Sequence, residues 1–420
     1  MTLAEPIDYL AGLDAATLIA AFSVSVMLDI PRYTFGFLAV LVAEVGNRRP
    51  PALSRLPSIS VLIPGHNEAQ SIRRCVLSLR EQTIRDLEII CVDDGSTDQT
   101  AEEICRLRAD GLIDVGLVCR VRSGKSGACN LALSRACGEV IVIVDADCTF
   151  DRDAVEQLVR PLLDPRVGAV SGNIAVRNAD ASVVTGVQSV EYLVGISLGK
   201  RALDFLNVVA CASGAFSAFR RSAVVAIGGM DIGPGEDLDL TLRLRQAGWR
   251  IRFAPDAWCL TDVPVTLGAF VRQRLRWERD ALRLRLRKHR RILDPRNRGV
   301  TATDLVHQFD YVVTNLLVTL VFPLYVVWLI FTYGAMAWPI LGSVTVAYVV
   351  LDLFAFIAAL IVVDRPGLTR ALPYALLLGV FNAYLLRLVR LAAYSQEWIF
   401  RRSYDDDYVP ERARKKAPCY

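Results

Sequence analysis

Short apolar runs alternate with helix-like stretches in the first half of the chain. Residues 59–63 form a compact apolar run that ends at Pro64-Gly65, and apolar positions at helical spacing follow over residues 71–80. The next apolar run covers residues 87–92. This succession predicts a strand, a helix and a second strand that pairs in parallel with the first.

The alternation continues over the following fifty residues. It predicts a helix over residues 98–108, a strand over Val115–Cys119, a helix over 126–136 and a strand over Val140–Val144. Such a pattern predicts an α/β fold, a mostly parallel sheet with helices on both faces. Ligands of these sheets bind beyond the carboxyl ends of the strands.

The apolar stretches outside this region are long enough to cross a membrane. Residues 15–43 are apolar apart from Asp29 and Arg32, and Arg48 and Arg49 follow them. About 20 apolar residues suffice for a span, and positive residues tend to stay on the cytoplasmic side. We therefore expect an N-terminal anchor followed by a cytoplasmic domain.

The second half of the chain predicts further spans. Residues 311–363 have room for two spans with a turn near 334–339, and residues 372–386 have room for a third. Residues 385–400 are amphipathic enough to lie in the interface instead, and the tail is basic. The side of the membrane that holds the C-terminus therefore stays open.

Composition agrees with a membrane protein of two unlike halves. Hydrophobic residues make up 53% of the 420 residues, and the formal net charge is only +4. We divide the chain into an anchor (1–50), a cytoplasmic domain (51–265), a basic amphipathic interface region (266–303), transmembrane and interface helices (304–400) and a polar basic tail (401–420).

Polar clusters follow three of the predicted strands: PGHNE at 64–68, DDGSTD at 93–98 and DAD at 145–147. Each cluster alone is also compatible with simple helix capping. Together they favour binding of a nucleotide sugar, because an acidic pair at a strand end can offer one carboxylate to a metal and the other to a sugar hydroxyl. With only three histidines in the chain, we expect carboxylate ligands for that ion. GKSG at 124–127 lacks the spacing of a Walker-type site.

These motifs continue with GKSGACN at 124–130, GED at 235–237 and QRLRW at 273–277, in one order along the chain. In this respect the chain resembles the processive family-2 glycosyltransferases, such as bacterial poly-N-acetylglucosamine, hyaluronan, chitin and cellulose synthases. The resemblance covers residues 59–277. It implies a Rossmann-like, A-type glycosyltransferase domain flanked by transmembrane helices.

On the donor side, the resemblance implies a binding site for a nucleotide sugar. Asp93 and Asp94 would contact uracil and ribose, with Lys125 near the nucleotide. Asp145 would face the nucleotide as well, and Asp147 would bind Mg²⁺ or Mn²⁺.

On the acceptor side, the resemblance makes Asp237, beside Glu236, the general base that takes the proton of the acceptor hydroxyl. Many relatives have threonine where this chain has Gly235, which puts that supporting contact in question. The alternative is that both acids merely cap a helix that begins near Leu238.

The resemblance also places Ser213 and Gly214 under the acceptor sugar, although a tight packing turn would explain them equally well. Gln273 and Arg276 would contact the diphosphate, and Trp277 would stack on the acceptor. A basic helix lying on anionic lipid is the other interpretation of these arginines.

The expected function is a multi-pass cell-membrane enzyme that is metal-dependent and inverting. It would move a hexose, N-acetylglucosamine or glucose, from a UDP-sugar to a growing polysaccharide. The alternative is transfer of one sugar to a polyprenyl phosphate or other lipid-linked acceptor. A scaffold without activity would be expected to lose Asp147, Asp237 or Arg276, and all three are present. We expect membrane lipid and not nucleic acid as a partner. Binding of accessory membrane subunits is left open by the sequence.

Overall fold

The computed structural model describes residues 56–294, 300–363, 365–405 and 409–411, with isolated positions among the first 42. The predicted anchor over 15–43 lies outside the described residues apart from a few of these positions. Arg48, Arg49 and the tail from residue 412 onward also lie outside them.

The first half of the described chain alternates strands and helices. The strands are β1 (Ile59–Gly65), β2 (Leu87–Asp94), β3 (Val115–Cys119), β4 (Val140–Val144), β5 (Thr149–Phe150), β6 (Val167–Val176), β7 (Phe216–Arg220) and β8 (Arg250–Thr261). The helices are α1 (Ile72–Arg80), α2 (Thr100–Ala109), α3 (Lys125–Arg135), α4 (Ala154–Val159), α5 (Val183–Tyr192), α6 (Gly199–Phe205), α7 (Arg221–Ala226) and α8 (Glu236–Gln246). The predicted βαβ units are confirmed, and each boundary falls within two residues of the prediction.

The strands form one eight-stranded sheet in the order β3-β2-β1-β4-β7-β6-β8-β5. Strand β1 pairs in parallel with both β2 and β4, while β7 runs antiparallel between β4 and β6. The predicted mostly parallel α/β sheet is therefore confirmed. Buried aliphatic residues cover both faces, because strands enclosed by helices on either side have no solvent face.

The polar clusters come together at one edge of this sheet. Gly65 at the end of β1 lies opposite Asp93 at the end of β2, and Asp94 lies opposite Cys119 at the end of β3. The amide of Asp145, directly after β4, donates to the carbonyl of Ala215 at 3.2 Å. The segment before β7 therefore joins the strand-end motifs.

The second half of the described chain is helical, and it is mostly apolar from residue 304 onward. It contains α9 (Leu267–Leu282), α10 (Ala302–Asp310), α11 (Val318–Tyr333), α12 (Ala337–Val362), α13 (Leu372–Val380) and α14 (Arg387–Phe400). Two continuous helical stretches, Asp304–Val362 and Leu368–Phe400, are long and apolar enough to cross a membrane. The first breaks at Gly334, whose φ is +54°, and a short 3-10 turn covers Gly334–Met336 where a turn was predicted.

Candidate active site

Asp94 holds the loop that precedes α3. One carboxylate oxygen accepts from the amide and hydroxyl of Ser123 at 2.6 and 2.7 Å, and the other accepts from the amide of Gly124 at 2.7 Å. Asp93 is equally buried and accepts from the amide of Ser96 at 3.1 Å. Both carboxylates are therefore engaged in shaping the two loops at this edge of the sheet. Their predicted contacts with uracil and ribose stay predictions.

Lys125 is the centre of the candidate site. Its Nζ lies 2.6 Å from Asp145 Oδ1, 3.3 Å from Glu236 Oε1 and 3.2 Å from the carbonyl oxygen of Gly214. Burial lowers the pKa of Lys125, but the charges of Asp145 and Glu236 outweigh burial and raise that pKa well above its usual value. The lysine is therefore a fixed positive charge that joins the DAD motif to the GED motif.

Asp237 is held beside Lys125 by the backbone of the small-residue segment. Its Oδ2 accepts from the amide of Gly214 at 3.0 Å. A Cβ at Gly214 would lie 2.8 Å from Lys125 Nζ and 3.4 Å from Asp237 Oδ2. A side chain at position 214 would therefore displace the Lys125 ammonium group from its present position.

The helix that carries the two acids begins earlier than the capping interpretation assumed. Helix α8 starts at Glu236 with Gly235 as its N-cap, so both acids lie in its first turn. Carboxylates are stabilised there by the positive end of the helix dipole. The Oδ2 of Asp237 faces Gly214, while its Oδ1 accepts from the amide of Leu238 at 2.7 Å.

The backbone conformation and the packing at position 235 both favour glycine. Its φ of +72° is a left-handed conformation that glycine adopts without strain. A Cβ at this position would also lie 2.9 Å from Leu284 Cδ1 and 3.1 Å from Asp280 Cβ. The region around the end of α9 therefore packs directly on the start of the helix that carries the candidate base, which a threonine would prevent.

Asp147 is a largely buried carboxylate near two other acids. It accepts from the hydroxyl of Thr261 at 3.3 Å, and Arg177 donates to its backbone oxygen at 2.8 Å. Burial and the charge of Asp145 raise the pKa of Asp147. Burial raises the pKa of Glu68 too, with contributions from Asp145 and Asp147. These carboxylates repel one another, so a cation between them would be stabilised.

The donor set fits a divalent ion that is shared with a ligand. Within the described residues, no three His, Cys, Asp or Glu side chains are grouped so that they could hold a metal alone. Mg²⁺ commonly binds through one or two carboxylates and completes its shell with substrate phosphates and water. Asp147, with Asp145 nearby, matches that arrangement.

Lys200 is a functional candidate that no sequence motif indicated. Its Nζ donates to Ser213 Oγ at 2.6 Å, to Ser171 Oγ at 2.8 Å and to the carbonyl oxygen of Cys211 at 3.2 Å. Burial lowers its pKa, and among the described residues it has no carboxylate partner within ion-pair distance. A lysine at this position therefore fixes the segment that continues into Gly214.

The QRLRW motif lies on α9, and its described contacts tie that helix to other helices. The guanidinium of Arg274 lies over the ring of Trp277 at 4.5 Å and pairs with Glu191 at 2.7 Å. Trp277 is 39% exposed, so part of its side chain is accessible. The described contacts do not connect Trp277 to the Lys125 cluster, and the roles of Gln273 and Arg276 stay predictions.

Glu278, next to the motif, was not singled out from the sequence. Its two carboxylate oxygens accept from Arg390 Nε at 2.9 Å and from the Tyr394 hydroxyl at 3.0 Å, both on α14. Further along, the buried Arg283 donates to the carbonyl oxygen of Pro234 at 2.6 Å and to the Tyr404 hydroxyl at 2.8 Å. Helix α14 and Tyr404, which follows it, thus brace the loop that leads into Glu236 and Asp237 through the end of α9 and Arg283.

The comparisons with known proteins identify the family and the fold. Residues 60–228 match the family model described as glycosyl transferase family 2. The poly-beta-1,6-N-acetyl-D-glucosamine synthase of Staphylococcus aureus strain COL is 33% identical over 235 residues, which are 55% of this chain and 56% of that protein. The alignment therefore spans about half the length of that relative.

A second relative is matched over more of its length. The N-acetylglucosaminyltransferase of Azorhizobium caulinodans is 30% identical over 306 residues, which cover 69% of this chain and 75% of that protein. Among solved structures, a mannosyltransferase from Pyrobaculum calidifontis in complex with GDP-Man and Mn²⁺ aligns with a TM-score of 0.62. That alignment covers 90% of this chain and 99% of that chain at 22% identity, so it establishes a shared glycosyltransferase fold.

Proposed function

Because this chain belongs to glycosyl transferase family 2, we propose that it transfers N-acetylglucosamine from a UDP-sugar to a growing polysaccharide at the cell membrane. The observation that carries the proposal is the meeting of Lys125, Asp145 and Glu236 with Asp237 around Gly214. Two relatives named for N-acetylglucosamine favour this sugar over glucose.

On the donor side, the nucleotide binds against the loops that Asp93 and Asp94 hold in place. Lys125 supplies a permanent positive charge next to Asp145, which suits a diphosphate. Arg276 is the second cation for that diphosphate, with Gln273 one turn before it. A divalent ion held by Asp147 would supply further charge compensation as the nucleotide leaves.

On the acceptor side, Asp237 takes the proton of the attacking hydroxyl. The acceptor oxygen forms a bond to the anomeric carbon while the bond from that carbon to the diphosphate oxygen breaks. UDP leaves with the bonding electron pair, and the anomeric configuration inverts because one displacement occurs. The Gly214 amide keeps one oxygen of Asp237 in place, and Glu236 keeps Lys125 beside it.

The membrane part of the proposal rests on the two apolar helical stretches after the catalytic domain. Helix α9 connects that domain with these stretches. Glu278 on α9 binds Arg390 on α14, and Asp280 on α9 packs against Gly235. Trp277 on α9 offers the exposed ring face that a polymer-making enzyme needs to retain the acceptor end between transfers.

The direct test is to supply the full chain in membranes with radiolabelled UDP-N-acetylglucosamine, UDP-glucose or GDP-mannose, together with Mg²⁺ or Mn²⁺. The labelled product is then sized. We expect polymer from UDP-N-acetylglucosamine only, and shorter polymer from Trp277→Ala at equal donor turnover. Trp338→Ala, which removes an exposed tryptophan at the start of α12, is the matched control and should leave product length unchanged.

The outcomes separate the two acceptor classes. Polymer from UDP-glucose would keep the polymerase proposal and correct the sugar. A single labelled sugar on a lipid, unchanged in Trp277→Ala, would replace the polymer by the lipid-linked acceptor. No transfer from any nucleotide sugar would contradict the proposal as a whole.

A further inference from the structure

A basic cleft of about 1010 Å³ lies away from the candidate active site. Ten residues line it: Asp231, Arg243, Gln246, Leu286, Arg287, Lys288, His289, Arg290, Arg291 and Arg401. Six of them are arginine or lysine and one is an acid, and none belongs to the donor or acceptor residues described above. The cleft is therefore a separate concentration of positive charge.

Three of the basic residues already have partners within the protein. Lys288 pairs with Asp231 at 2.5 Å and with Asp239 at 2.7 Å, and Arg287 pairs with the buried Glu397. Arg243 donates to the carbonyl oxygen of Gly229 at 2.8 Å. These contacts fix the walls of the cleft.

Arg290 and Arg401 differ from these three residues in their exposure and in their contacts. Both are exposed, and neither makes an ion pair or a side-chain hydrogen bond in the part of the chain that the structure describes. Burial lowers the pKa of Arg287, and the nearby charge of Arg401 lowers it further. Arg287 and Arg401 thus repel each other across the cleft, and an anion placed between them would reduce that repulsion.

The surroundings indicate where that anion comes from. Arg401 directly follows the apolar stretch Leu368–Phe400. The last residues of that stretch, Trp398, Ile399 and Phe400, are 61%, 70% and 62% exposed. Tryptophan and other aromatic residues favour the membrane interface, and basic residues next to a membrane helix attract anionic head groups. The charged cleft and the exposed apolar side chains are therefore adjacent along α14.

We propose that this cleft binds a phosphate-bearing anion between Arg287, Arg290 and Arg401, supplied by the head group of an anionic phospholipid. The acyl chains would then lie along Trp398 and Phe400. The proposal is independent of which sugar the enzyme transfers, because none of the candidate catalytic residues lines the cleft.

The test uses the full chain purified in neutral detergent, with phosphatidylglycerol, phosphatidylcholine or soluble glycerol phosphate added. The readouts are the unfolding midpoint and the lipid retained in native mass spectrometry. We expect phosphatidylglycerol to raise the midpoint and phosphatidylcholine to leave it unchanged. The double variant Arg290→Gln/Arg401→Gln should bind phosphatidylglycerol about tenfold or more weakly.

The control variant is Arg85→Gln/Arg166→Gln, which removes the same charge from exposed arginines of the catalytic domain. It should respond to phosphatidylglycerol like the wild type, and both double variants should unfold like the wild type without lipid. If glycerol phosphate stabilises as well as the lipid and Arg290→Gln/Arg401→Gln loses both effects, the phosphate site is supported and the free anion is its source. Equal responses of both double variants to phosphatidylglycerol would overturn the proposal.

Discussion

The donor and acceptor sides of the candidate site differ in how far along the chain their supports lie. Asp94 binds Ser123 across 29 residues, and Lys125 binds Asp145 across 20. On the acceptor side, Arg390 binds Glu278 across 112 residues and Arg283 binds Tyr404 across 121. The loop held by Asp94 is therefore built within successive βαβ units, whereas the loop that leads into α8 is also braced from the far end of the chain.

This difference has a consequence for stability and for function. Local units that share a hydrophobic core withstand changes elsewhere, whereas the start of α8 is braced at Pro234 and Gly235 by residues close to the apolar helical stretches. A change in those helices can therefore reach the start of α8, which carries the candidate base. Each variant below affects one side and leaves a measurable property of the other side intact.

The largest expected effect is on the donor side. Asp147→Asn should reduce metal-dependent transfer to background, because the amide lacks the charge that holds a divalent ion beside a diphosphate. Donor turnover measured as a function of metal concentration tests this effect. Asp180→Asn, which changes an exposed aspartate, is the control. Wild-type turnover at low metal concentration would refute the metal role of Asp147.

The raised pKa of Asp147 adds a second readout to the same variant. A carboxyl whose pKa is raised on folding destabilises the folded state when it is ionised, so stability increases as the pH falls through that pKa. In metal-free buffer at neutral pH, Asp147→Asn should therefore unfold at a higher temperature than the wild type. Apparent metal affinity of the wild type should decrease as protons compete for Asp147 at acidic pH.

The next effect is on the acceptor side. Asp237→Asn should lower transfer by about 10²-fold or more while UDP binding stays near the wild-type value, because the amide cannot accept the acceptor proton. Single-turnover transfer and equilibrium UDP binding measure the two properties separately. A large loss of UDP affinity, with normal turnover of bound donor, would assign Asp237 to the donor side instead.

A smaller effect tests the long-range brace. Glu278→Gln should lower the free energy of unfolding by about 1.5–3 kcal/mol, because it removes the charge from hydrogen bonds with Arg390 and Tyr394. Chemical denaturation measures it, and a double-mutant cycle with Arg390→Gln isolates the pair. The brace is absent in solution if the two single effects simply add. Donor affinity should stay unchanged in either case.

The smallest effect concerns Lys200. Lys200→Met should raise the acceptor KM several-fold, in line with hydrogen bonds worth about 0.5–1.5 kcal/mol each, and change the donor KM little. Lys200→Arg should restore part of the affinity by donating to Ser213 and Ser171. A purely structural role would lower stability without this difference between the two KM values.

The catalytic domain was largely predictable because its signals are local. Period-2 and period-3.6 patterns of apolar residues specify β1 to β4 and the helices between them, and strand ends in a parallel sheet must meet at one edge. The convergence of Asp93 and Asp145 at that edge follows from the same rule. The order of the motifs then indicated the family.

Only the tertiary structure decided what surrounds these motifs. The pairing of Lys125 with Glu236, the clearance at Gly214 and Gly235, and the partners of Lys200 depend on distances between segments that carry no mutual signal in the sequence. A hydrogen bond between residues 112 apart, such as that of Arg390 with Glu278, is set by packing of whole helices. The amino-acid sequence by itself therefore determined the elements and the chemistry they carry, and packing decided which charged groups meet.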